Sequence, residues 1–231
     1  MTTIIGDQAG QISRVLRMKP GNHLVVLDNT GYEYEVELSR VNNHIVIGNI
    51  LNKQLSINEP RFSWTLFASP LKRENFEWLL QKCTEIGISR FIPTISSRSV
   101  INKQEWSQKI IRWNKIIQEA SEQSTRGRLP ILDPPLNFYD ALKLAQTHNL
   151  ACIPWEGEKN FTLHQFLSSN SGQLTSGNGA IMIGPEGGFS EDEISSAKTY
   201  GIHSVSLGKR ILRSETAAIF ASAWCMGYDD A

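Results

Sequence analysis

Two segments of this chain carry residues whose types and spacing could do chemistry. Residues 181–194 read IMIGPEGGFSEDEI, an apolar run broken by Gly-Pro-Glu-Gly-Gly and resumed as an acidic helix start, and residues 205–218 read VSLGKRILRSETAA. Gly184, Gly187 and Gly188 permit backbone angles and close approaches that a Cβ would forbid. A glycine turn ahead of a helix usually suits an anion, because free amides and the helix dipole attract one. Here Glu191 and Asp192 occupy the first turn, no Lys-Ser or Lys-Thr follows the glycines, and the GxGxxG spacing is absent. An anion would be repelled, whereas a neutral or cationic ligand lying against bare backbone would not. On these residues alone a tight strand-to-helix connection is an equal reading. Glu186 and Glu215 are carboxylates whose chemistry qualifies them as general bases.

The surrounding pattern says how such segments would be held. Residues 180–183 form a short continuous apolar run, as in a strand covered on both faces. Ser190 reads as an N-cap, Glu193 as its capping-box partner, and Phe189 with Ile194 as a hydrophobic staple. In the second segment Leu207-Gly208 ends a strand, a short loop carries Lys209, Arg210 and Arg213, and Ser214 can cap the next helix. That helix is rich in small residues (Ala217, Ala218, Ala221, Ser222, Ala223), which suits either core packing or an oligomer interface.

Residues 23–57 alternate with period two, and Asn29-Thr30-Gly31 and Asn42-Asn43 mark turns, predicting a small antiparallel barrel. After Glu59-Pro60 the rhythm changes. Residues 64–68 are strand-like, and Phe76, Leu79, Leu80, Cys83 and Ile86 share a helical face that stops at Gly87. The run RFIPTI follows as a strand, and Trp106, Ile110, Trp113, Ile117 and Ala120 mark a long second helix. Further strands end near Leu132 and Pro154, with helices around residues 139–147 and 162–167. Alternating strands and helices imply a mostly parallel sheet with helices on both faces. The expected division is 1–60 and 61–231. In such sheets ligands collect at the carboxyl ends of strands, here after Pro154, Ile183 and Leu207.

Composition limits the partners. With 231 residues and 40% hydrophobic content the chain can bury a substantial core. Its formal net charge is zero, so nucleic-acid contact would depend on local basic patches. Cys83, Cys152 and Cys225 lie far apart without metal-ligand spacing, which fits core packing in a reducing compartment and no metal. The N-terminal stretch lacks a leader pattern and no window approaches a membrane span, so a cytoplasmic protein without membrane contact is expected.

Taken together, IGPEGGFS and LGKRILRSETAA, preceded in order by RVLRMKPG (14–21), FEWLLQKCTEIGISRFIP (76–93) and IIQEASEQSTRGRLP (116–130), resemble the RsmE family of 16S ribosomal RNA uridine-N3 methyltransferases in the SPOUT superfamily. The resemblance spans nearly the whole chain. It implies an α/β domain, parallel-sheeted and tied in a trefoil knot, behind a small PUA-like antiparallel β-barrel that binds RNA. It also implies a homodimer, S-adenosylmethionine as cofactor, and the 16S rRNA of the small ribosomal subunit as partner. Cofactor contacts are carried to Pro154, Ile183, Gly184, Glu186, Gly187, Gly188, Leu207, Gly208, Ile211, Leu212 and Thr216. Arg213 is expected to position the uracil or a phosphate, and Glu186 to orient the turn or touch the ligand. Arg14, Arg17, Lys72, Arg73, Arg98, Arg126 and Arg128 form the basic set assigned to RNA. Glu119, Gln123 and Arg126, at near-helical spacing, could equally brace the fold. Gln11 stands where the family often has histidine, and Arg73 where it often has glycine. The competing readings are a SPOUT enzyme for another RNA and a non-catalytic dimeric RNA binder, whose signature would be a degraded glycine turn.

Overall fold

The computed structural model describes residues 1–72, 74–99 and 106–229. The chain divides into two units, the first comprising Met1–Glu59 with Thr125–Arg128 and the second Pro60–Ser124 with Leu129–Ala231.

In the first unit the alternating residues pair as β1 (Thr2–Ile5), β2 (His23–Leu27), β3 (Tyr32–Val41) and β4 (Ile45–Leu55), antiparallel in the order β1-β4-β3-β2. Asn29 and Gly31 take the left-handed angles that the β2–β3 turn needs, φ 65° and 88°. Val36, Leu38 and Val46 bury one face against Ala9 and Ile12 of the short helical segment that follows β1. Residues 125–128 complete this unit. Arg126 donates from Nη2 to Glu59 Oε2 at 2.9 Å, Arg128 N–H to Glu59 Oε1 at 3.1 Å, and Gly31 N–H to the Gly127 carbonyl at 3.1 Å.

The second unit alternates β5 (Phe62–Ala68), α2 (Asn75–Ile86), β6 (Arg90–Ile95), α3 (Trp106–Gln123), β7 (Ile131–Leu132), β8 (Leu136–Asn137), α4 (Phe138–Ala145), β9 (Leu150–Pro154), α5 (Leu163–Ser169), β10 (Gly177–Ile183), α6 (Glu191–Thr199), β11 (His203–Val205) and α7 (Ser214–Asp229); α1 is Asp7–Gly10 of the first unit. The sheet runs β11-β9-β10-β5-β6-β7, with β8 pairing β6 off this path, and the pairings are parallel. Apolar runs belong here because both faces are covered. On β10, Ile181 and Ile183 enter one core with α2, α3, α5 and α7, while Ala180 and Met182 enter the other with α4 and α6.

Cys83, Cys152 and Cys225 are fully buried, and burial pushes the first two thiols up to about 12. They are packing residues. The small residues of α7 are core as well: Ala218, Ala221 and Ser222 are buried, and the Ser222 hydroxyl points at Cys83 Sγ of α2 at 3.6 Å. Ser214 is the first helical residue of α7, not the cap before it, and the Ala217 amide closes the opening turn on the Arg213 carbonyl at 2.7 Å. Among the described residues no helix is long and apolar enough to cross a membrane, and no group of three His, Cys, Asp or Glu could hold a metal ion.

Candidate active site

The carboxyl ends of β9 and β10 open into a cleft of about 530 Å³. Its walls are Pro154 and Glu156 after β9, residues 183–189 after β10, residues 211–215 and Ala217 at the start of α7, and Asn75 at the start of α2. The two chemically suggestive segments of the sequence therefore face one space.

The glycine turn is held from several directions. Ser190 Oγ accepts the Glu193 N–H at 3.2 Å and Glu193 Oε2 accepts the Ser190 N–H at 2.9 Å, so the expected capping box starts α6. Phe189 and Ile194 pack in the same core, as a staple should. The other Glu193 oxygen accepts the Ser97 N–H at 2.8 Å, and neighbouring Arg98 donates from Nη1 to the Gly187 carbonyl at 2.8 Å. The loop after β6 thus clasps the turn from one side. From another, Lys72 N–H donates to Glu186 Oε1 at 2.9 Å and Ser69 N–H to the Ile183 carbonyl at 3.0 Å. Gly188 has φ 66°, and a Cβ there would lie 2.7 Å from Glu156 Oε1. The left-handed angle is what favours glycine at that point, since the exposed end of Glu156 can move aside.

The sequence-assigned residues separate accordingly. Pro154, Ile183, Gly184, Glu186, Gly187, Gly188, Ile211, Leu212 and Arg213 line the cleft. Leu207, Gly208 and Thr216 are not among its walls: Leu207 packs half-buried against the core, Gly208 is an exposed turn with φ 113°, and Thr216 is exposed on α7. Of the basic set, Arg14, Arg17, Lys72, Arg98 and Arg128 are exposed, and Arg73 lies outside the described residues. Arg126 has to be corrected. Its side chain is only 3% exposed and is held by Glu59, so it braces the first unit and cannot reach RNA as an open cation. Glu156 and Asn75 line the cleft without having been singled out, and Phe189, read from the sequence only as a staple residue, lines it too. Glu156 sits in the CIPWEGE strand end, where its acid beside a glycine was the available signal.

Electrostatically the lining is unlike a phosphate site. Among the described residues, three carboxylates (Glu156, Glu186, Glu215) and one guanidinium (Arg213) border the cleft, with no lysine. Such walls favour a ligand with positive charge and hydrogen-bonding edges. They fit S-adenosylmethionine, whose adenine can be read by bare backbone and whose sulfonium is cationic.

Comparison with known proteins points the same way. A family described as RNA methyltransferase domain matches residues 58–226, and one described as RNA methyltransferase PUA domain matches residues 12–51. The chain is 34% identical over 215 residues to the ribosomal RNA small subunit methyltransferase E of Mesomycoplasma hyopneumoniae, covering 92% of this chain and 88% of that one. Its counterpart in Bacillus subtilis is 30% identical over 228 residues, covering 95% and 87%. Among solved structures, a ribosomal RNA small subunit methyltransferase E from Neisseria gonorrhoeae bound to S-adenosyl methionine superimposes with a TM-score of 0.81 at 29% identity, covering 96% of this chain and 90% of that chain. A methyltransferase from Legionella pneumophila with bound SAM gives 0.84 at 27% identity, covering 98% and 91%.

Proposed function

The chain belongs to the RNA methyltransferase family that includes ribosomal RNA small subunit methyltransferase E, and on that premise we propose that the cleft between the β9 and β10 loops and the start of α7 binds S-adenosylmethionine for methylation of a uridine N3 in 16S rRNA. The chain is an RNA methyltransferase whose larger unit has the SPOUT architecture and whose smaller unit is PUA-like. The observation that carries the reading is the meeting of the glycine turn with residues 211–215 around one acid-lined space.

The cofactor, when bound, supplies an electrophilic methyl group. The glycine turn offers backbone N–H and C=O groups to hold it, and the clasps from Lys72 and Arg98 keep that turn in place beforehand. Fixed placement of two reactants can account for roughly 7 to 11 kcal/mol of barrier lowering. Arg213, exposed at the rim, is placed to orient the uracil and to stabilise negative charge developing on it. Exposed Arg14, Arg17 and Arg128 of the smaller unit, with Lys72 and Arg98 of the larger, supply the RNA backbone contacts. Leu207, Gly208 and Thr216 serve by shaping the chain into and out of the cleft segment.

A trefoil knot follows from membership of the family, and the family's homodimer is supported by the exposed Phe220 and Trp224 rings on α7, 6.0 Å apart. Action on ribosomal subunits supports a cytoplasmic location. Calorimetry with S-adenosylmethionine, followed by mass spectrometry of 16S rRNA nucleosides from a deletion strain, tests the proposal. Saturable binding and one missing 3-methyluridine are expected. Absence of saturable heat would favour a non-catalytic RNA binder.

A further inference from the structure

Uridine N3 carries a proton, and its lone pair is a poor nucleophile until that proton leaves. A cleft that methylates it needs an acceptor, and three carboxylates are available. They are not equivalent. Glu186 is exposed and one of its oxygens is taken by the Lys72 amide at 2.9 Å. Glu156 is exposed to solvent beside Gly188. Glu215 is only 5% exposed, lines the cleft, and has no hydrogen bond or ion pair from any described residue. Its carboxylate oxygens are not among the occluded side-chain atoms that lack a partner, so a residue otherwise buried keeps its acceptors open. An open acceptor that borders a ligand cleft is free to take its donor from the ligand.

We propose that Glu215 is the catalytic base that removes the N3 proton of the target uridine. The assignment rests on the reading of the cleft as the methyl-transfer site. In the step, the N3–H bond breaks, the proton forms an O–H bond to a Glu215 carboxylate oxygen, and the bonding pair stays on the uracil ring as its anion. Proton transfer from an imide to a carboxylate is uphill in water. Arg213, two residues earlier and bordering the same cleft, lowers that cost by stabilising the ring anion. Among the described residues the other charged groups bordering the site are Arg213 at the start of α7, Glu156 from the β9 loop and Glu186 from the β10 loop. Solvation of Glu156 and the amide contact of Glu186 leave Glu215 as the base.

The test compares wild type with Glu215→Gln and Glu215→Asp. Calorimetry of S-adenosylmethionine alone is expected to give Kd values within about threefold of wild type. Single-turnover methylation of small subunits should fall by about 100-fold or more in Glu215→Gln. Its residual rate should climb with pH well beyond the wild-type plateau, as spontaneous ionisation of N3 replaces the lost base. Subunits carrying 5-fluorouridine, whose N3 proton is more acidic, should restore the variant selectively relative to wild type. Should Glu215→Gln fail to fold, Glu215→Asp must show the same selective gain from its mispositioned carboxylate. A Kd weakened more than about tenfold in either folded variant would make Glu215 a cofactor anchor and overturn the proposal. So would a rate that ignores 5-fluorouridine. If wild type binds S-adenosylmethionine and methylates no subunit, the functional reading falls first and the proposal with it.

Discussion

The backbone amide of Lys72 donates to the carboxylate of Glu186 at 2.9 Å across a separation of 114 residues. This bond ties the loop after β5 to the glycine turn after β10, two neighbouring strands of the parallel sheet. It gives the one acid inside Gly-Pro-Glu-Gly-Gly a structural task. Glu186→Gln keeps an accepting oxygen and should retain S-adenosylmethionine affinity. Glu186→Ala should lose roughly 1 kcal/mol of stability and weaken the cofactor by about tenfold, as read by thermal melting and calorimetry.

Gly188→Ala must hold a left-handed φ of 66° and push aside the exposed end of Glu156, whose Oε1 would lie 2.7 Å from the new Cβ. A stability loss of roughly 1 to 3 kcal/mol is expected, with cofactor binding weakened at least about tenfold. Gly187→Ala is the contrast. Its Cβ would meet nothing closer than Arg98 at 3.4 Å, so its melting temperature should stay near wild type.

Arg213 borders the cleft but is exposed, so its removal should spare the fold. Arg213→Ala should lower methylation of small subunits by about 100-fold while S-adenosylmethionine affinity holds. Unchanged turnover would remove Arg213 from the site.

Arg126 and the exposed arginines should behave oppositely. Arg126→Ala leaves Glu59 without its buried cation and should cost roughly 3 kcal/mol of stability in chemical denaturation. Arg14→Ala and Arg17→Ala should melt like wild type. Their effect belongs in rRNA affinity, whose dependence on salt should become shallower by about one unit per lost phosphate contact.

His148 supplies a pH prediction. Burial holds its pKa below the usual 6.5, with Arg90 adding to the effect against backbone contacts that raise it. Its Nδ1 lies 3.1 Å from the Leu144 carbonyl and its Nε2 3.1 Å from Thr65 Oγ1, an arrangement that a neutral ring satisfies by donating at the first and accepting at the second. The unfolded chain binds the proton more readily, so this contribution to stability is complete above about pH 6.5 and declines as pH falls toward the lower folded value. Asp28 and Glu158, both lowered by hydrogen bonds, contribute in the same direction only at more acid pH. Denaturation midpoints between pH 7 and 5 should fall in wild type and change less in His148→Gln.

Local signals made much of this legible before any coordinates. The capping box at Ser190 and Glu193, the apolar run ending at Ile183 and the helical face from Phe76 to Ile86 are short-range patterns, and each takes the expected form. Long-range relations were not legible. The burial of Arg126 depends on Glu59, 67 residues away, and no helical spacing encodes it. Glu156 matters because β9 and β10 are neighbours, which brings its carboxylate over Gly188. Leu207 and Gly208 have the composition of a ligand loop, yet the chain turns at them and reaches the cleft only from Ile211 onward. A motif marks a stretch of chain; which of its residues touch the ligand is decided by where the backbone bends.

Residues 125–128 complete a unit built otherwise from residues 1–59, so the small unit is discontinuous in the sequence. A single cut after Glu59 would not excise it. The fragment would carry a carboxylate stripped of its guanidinium and a Gly31 amide stripped of its carbonyl. Transplanting this module to another enzyme would therefore require a split graft, with the four-residue strap supplied from a second site.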